Sequence, residues 1–148
     1  MHRKCILAAK TCSREFYDVV LRPLVDVRQS ERVDLQCVQR LARSIVREGR
    51  WLEPIVVERA SGIVMDGNHR FTVAKVLGFE TIPCIELDYD DPRVCVHDWR
   101  TGACFDVRKI FDTLNRGEIF PYKTTRHTFS PVLPKTSVHL GHLAPVST

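Results

Sequence analysis

From Asp34 onward, apolar residues recur at three- and four-residue steps: Leu35, Val38, Leu41, Ala42, Ile45 and Val46, with mainly Gln, Arg and Ser between them. This period lines one face of a helix, with Asp34 suited to cap its start and Gly49 to stop it. Pro54-Ile-Val-Val-Glu is then a short apolar run, Ala60-Ser-Gly has turn composition, and Ile63-Val-Met is a second run. Together they predict a β-hairpin. Phe71, Ala74 and Leu77 return to helical spacing, in a helix that begins at the Asp66-Gly67 junction and ends at Gly78. Thr81–Leu87 predicts a further strand and Val94–His97 the last one. Val107, Ile110, Phe111 and Leu114 predict a helix over 106–116 that closes at Gly117. The stretch FPYKTTRHTFSPVLPK that follows has no period and three prolines, and is expected to be an extended segment wrapping the domain. There is no internal repeat and no low-complexity tract.

Composition narrows the class without naming a function. At 148 residues the chain has room for one domain with a real core. We expect that domain over 15–130, with 131–148 as a tail completing or wrapping it. Hydrophobic residues make up 44% and charged ones 27%, as in ordinary globular proteins. The net charge of +4 is scattered and forms no basic stripe, so an anionic ligand is allowed and nucleic acid is not demanded. Cysteines 5, 12, 37, 84, 95 and 104 form no C-x-x-C pair and no zinc-ribbon spacing, which reads as reduced thiols. The apolar stretch in MHRKCILAAK is shorter than the ~7–15 residues of a signal-peptide core, and no run approaches the ~20 residues of a membrane span. A cytoplasmic location is the expectation.

The densest chemistry is VMDGNHRF, residues 64–71, where a strand hands over to a helix. A helix start leaves backbone N–H groups unpaired and carries partial positive charge, so it suits an anion. Gly67 permits close approach, while Asn68, His69 and Arg70 add donors, and arginine grips phosphate with two parallel bonds. Asp66 reads either as a helix cap or as a group that holds magnesium or orients a hydroxyl. Elsewhere, Glu31 in RQSERVD reads as an exposed loop acid and Trp99 as a packed aromatic. The run Lys123, Thr124, Thr125, Arg126, His127, Thr128 reads either as a solvated loop or as a second site for an anion or zwitterion.

Taken in order, the first helix, PIVVE, IVMDGNHR, the second helix, LG and IPCIELDYD resemble the ParB/sulfiredoxin-like fold, in which a box of this type binds nucleotide phosphates. Ser30-Glu31 through Ile85, followed by LDYD, VCVHDW and PYKTTRHTF, is similar to the free L-serine kinases of that superfamily. The resemblance implies an α/β single domain with a small mixed sheet flanked by helices. It implies an ATP- or ADP-dependent kinase that uses Mg2+ to turn free L-serine into O-phospho-L-serine, for siderophore or amino-acid biosynthesis, with a phosphoserine-consuming enzyme downstream. By position, Glu31 matches the proposed base and Asp66 a second catalytic residue. Asp66, Gly67, Asn68, His69 and Arg70 match the nucleotide cradle. Trp99, Lys123, Thr125, Arg126, His127 and Thr128 match the serine side, where Arg126 is the chemical choice for the carboxylate. Asn68 departs from the histidine common at its position. The cysteine that sulfiredoxin needs before its His-Arg pair is absent, which argues against that activity. The alternative is a ParB-like nucleotide switch or DNA-binding regulator, yet the residues after Arg116 show no helical period for a helix-turn-helix. No cluster of acids for a two-metal nuclease is visible.

Overall fold

The computed structural model describes residues 16–146. Cys5, Cys12 and the N-terminal stretch read above lie outside these residues. The central sheet has four strands: β1 (Val20–Pro23), β3 (Ile55–Glu58), β4 (Val64–Asp66) and β5 (Thr81–Leu87), in the order β1-β5-β3-β4. β3 runs parallel to β5, and the other two pairings are antiparallel. The predicted hairpin is thus β3–β4, and the sheet is mixed, as the resemblance implied.

The central strand β3 shows why the run IVVE is apolar throughout. Alternate residues of a strand face opposite sides, and both sides here are covered. Ile55 and Val57 pack with Val38, Phe71, Val73 and Ala74 of α1 (Leu35–Glu48) and α2 (Asn68–Val76). Val56 packs on the other side with Met65, Ile85, Leu87 and Val94. The cap read from sequence at Asp34 holds, and Asp106 is a second one. Asp34 accepts a hydrogen bond from Gln36 N at 2.9 Å, and Asp106 one from Arg108 N at 3.0 Å at the start of α3 (Val107–Asn115).

Four strands were not expected. β1 is an edge strand before the first helix. β2 (Arg50–Trp51) pairs with β8 (Val138–His139). Most consequential is β7 (Thr125–Phe129), which pairs antiparallel with β6 (Val94–Asp98) in a separate two-stranded ribbon. The segment read as unpatterned extended chain therefore contains a strand, and β6 is not the last one. Residues after 131 also enter the core: Leu143 is fully buried, and its carbonyl accepts from Glu80 N at 2.7 Å. Cys37, Cys84, Cys95 and Cys104 are free thiols, and burial pushes the Cys84 thiol up to about 12. No helix among the described residues is long and apolar enough to cross a membrane.

Candidate active site

A cleft of about 350 Å3 opens where β4 turns into α2. Its walls are the loop at Glu31 and Arg32, the corner from Met65 to His69, and one end of the β6–β7 ribbon with Trp99, Tyr122, Lys123, Thr125, Arg126 and His127. Ten of the twelve residues expected at the site line it. Arg70 and Thr128 do not. Thr128 pairs with Cys95 further along the ribbon.

The corner is built differently from its first reading. Gly67 has φ +114°, and a Cβ there would stand 2.5 Å from Ile55 Cγ2. Glycine is required here by packing against β3 before any ligand is considered. Asp66 does not cap α2, whose N-cap residue is Gly67 with no side-chain cap. The Asp66 carboxylate is half exposed and accepts from Arg70 Nη2 at 3.2 Å. Arg70 in turn donates Nη1 to the carbonyls of Glu53 and Pro54, at 2.8 and 2.7 Å. Its guanidinium clamps the chain ahead of β3.

His69 and Asn68 are also engaged by protein. His69 Nε2 accepts from Asp34 N at 3.1 Å, its ring lies edge-on to Tyr122 at 5.6 Å, and burial lowers its pKa against the opposing pull of Asp34 and Glu31. Asn68 Oδ1 accepts from Ser30 N at 2.8 Å, and its Nδ2 donates to Ser30 Oγ at 3.1 Å. What the corner presents to an anion is therefore the uncapped start of α2, its backbone N–H groups, beside one carboxylate.

Glu31 is far from an idle loop acid. Its Oε2 accepts from Thr125 N at 2.8 Å and Thr125 Oγ1 at 2.7 Å, and its Oε1 from Lys123 N at 3.2 Å. A carboxylate offers about four acceptor positions, so Oε1 keeps one for a further donor. In the same cleft, Lys123 Nζ lies 5.4 Å from the Trp99 ring and 5.2 Å from that of Tyr122, and the Arg126 guanidinium 5.4 Å from Trp99. All three distances are within cation–π range. His127 Nε2 is 3.0 Å from Tyr89 Oη. Burial pushes His127 down to about 3 and raises the Tyr89 hydroxyl, so a neutral imidazole and a protonated phenol share this hydrogen bond.

Arg32, Tyr122 and Ser30 were missed from sequence. Arg32 directly follows Glu31 and Tyr122 directly precedes Lys123, so adjacency was their one visible signal. Ser30 gave none, because its role is to hold a partner that is remote in sequence.

No protein-family model matches the chain. An "ATP-dependent L-serine kinase" of Desulfurococcus mucosus is 31% identical over 107 residues, covering 69% of this chain and 35% of that protein. A protein of the same name from Staphylothermus marinus is 31% identical over 80 residues, covering 51% of this chain and 32% of its own length. The solved structure of a free serine kinase in complex with AMP superposes with a TM-score of 0.74 at 14% identity, covering 86% of this chain and 93% of that one. The chain is therefore similar to free serine kinases in sequence and in fold. It shares their mixed α/β fold and spans about a third of the length of the curated relatives it matches. The free serine kinase fold thus places Glu31, the start of α2 and the ribbon end in one cleft.

Proposed function

We propose that the chain transfers the terminal phosphoryl group of ATP or ADP to the hydroxyl of free L-serine, giving O-phospho-L-serine. One observation carries this reading. The Glu31 carboxylate and the uncapped start of α2 open into the same cleft as Trp99 and Arg126. Phosphoryl transfer requires charge neutralised on the moving group and an acceptor held in line, with little covalent work from the protein. The N–H groups at the start of α2, with Arg32 and Lys123, supply the first. Arg126 takes the serine carboxylate and Glu31 Oε1 takes the hydroxyl proton. The serine Oγ–P bond forms as the bridging P–O bond breaks, and ADP leaves from ATP, or AMP from ADP.

Mg2+ takes oxygen ligands and arrives with the phosphates. Among the described residues no group of three or more His, Cys, Asp or Glu gathers for a metal, and Asp66 is the corner carboxylate that would hold such an ion. When bound, the ion would neutralise phosphate charge. The catalytic unit proposed is 15–130, with 131–148 completing it, in a cytoplasmic setting that supplies nucleotide and an enzyme to consume phosphoserine. The relatives above are named for ATP, and one solved neighbour holds ADP.

The test is incubation with Mg2+, L-serine and each nucleotide, followed by phosphorus NMR. Phosphoserine is expected with at least one donor, and no product with either overturns the proposal. Glu31→Gln is expected to abolish turnover while nucleotide still binds. Full activity in that variant removes Glu31 as the base.

A further inference from the structure

We propose that Asn68 is a positioning residue that sets Glu31 against the bound phosphate, rather than a phosphate ligand through its side chain. The inference rests on the kinase reading and concerns the two halves of that site. Asn68 is the first residue of α2, so its peptide N–H belongs to the anion-binding helix start. Its side chain is turned to the loop that carries Glu31. Oδ1 accepts from Ser30 N at 2.8 Å and stands 3.4 Å from Glu31 N, while Nδ2 donates to Ser30 Oγ at 3.1 Å. Ser30 is itself buried, and its hydroxyl donates to Val64 O at 2.7 Å in the strand that leads into the corner.

One residue thus touches both reacting partners' supports, with the backbone on the phosphate side and the amide on the base side. The corner beneath it is fixed. Gly67 has no clearance from Ile55, and Arg70 ties the first turn of α2 to the Glu53 and Pro54 carbonyls. A shift of Glu31 relative to the helix start therefore strains the Asn68–Ser30 bonds. Misplacement of a reacting group by about 1 Å can cost about 100-fold in rate.

The experiment measures kcat for phosphoserine, nucleotide Kd by calorimetry, and amide hydrogen exchange at Ser30 and Glu31, in the wild type, Asn68→Ala, Asn68→Asp and Ser30→Ala. For Asn68→Ala, kcat is expected to fall about 10- to 100-fold and Kd to change less than about threefold, with Ser30 and Glu31 exchanging at least about tenfold faster. Asn68→Asp keeps the acceptor for Ser30 N–H but sets a charge beside the phosphate. Its kcat at saturation is expected to stay closer to wild type while its Kd rises. Should Asn68→Ala fail to fold, Ser30→Ala is expected to show the same kcat loss in milder form, and the double variant to be non-additive. A wild-type kcat in Asn68→Ala, or a change in Kd alone, overturns the proposal. A wild type that makes no phosphoserine overturns the kinase reading separately. Exchange then still decides whether Asn68 holds the loop, and unchanged exchange in Asn68→Ala refutes it.

Discussion

Arg70 is the residue whose chemistry is most easily misread from its neighbours. A guanidinium at a helix start suggests a phosphate ligand, but its donors reach two carbonyls and the Asp66 carboxylate. Removing it leaves those acceptors without their partner, a loss of about 1–3 kcal/mol for buried groups. Arg70→Ala is therefore expected to lower the urea midpoint by an amount of that order, and a variant as stable as wild type would contradict the clamp. His127 carries the second prediction at this scale. Its folded pKa lies near 3, below the ordinary histidine value of about 6.5, so between those values the unfolded chain binds a proton that the folded one refuses. Stability should fall as pH drops below about 6.5, by at most about 2 kcal/mol at pH 5. Burial lowers His69 in the same direction. Urea unfolding at pH 7 and pH 5 measures the slope. His127→Gln should flatten it, and equal stability at both pH values would sink the assignment.

Elements differed in how far the sequence revealed them. α1 and α3 were legible because each carries an apolar stripe and an aspartate placed to cap it, signals contained within one element. β7 was not, because two of its three inward positions are polar. Thr125 and His127 face the cleft where a core strand would show valine or leucine, and the strand is stabilised by pairing with β6, some thirty residues earlier. The corner at 66–70 was located correctly as a place and misassigned in its parts. Local sequence can mark a helix start, but the partners of Asn68, His69 and Arg70 sit in Ser30, Asp34 and the 53–54 carbonyls. Gly67 belongs to this scale as well. Gly67→Ala combines a positive φ with a Cβ forced into Ile55, and is expected to cost about 2–4 kcal/mol in chemical denaturation. Pairing it with Ile55→Ala would relieve the contact but not the backbone strain, so recovery should be partial.

At the scale of the molecule, one core joins regions far apart in the chain. Leu143 is buried among Trp51, Phe71 and Ile82, so Leu143→Ala should destabilise the whole domain by about 2–5 kcal/mol. A melting temperature unchanged from wild type would show that the segment after 131 is not part of the core. The ribbon meets the rest differently. β6 and β7 pair with each other, and besides apolar packing their ties to the sheet include Phe120 N to Ser30 O and the three bonds received by Glu31. Glu31 is thus a fastener of the cleft wall as well as its proposed base. An acid that did chemistry alone could drift to a shorter or weaker one and lose only speed. Here even a single methylene removed would withdraw the carboxylate from Lys123 and Thr125 and unpin the wall, so architecture has closed this position to gradual change before catalysis imposes its own demand.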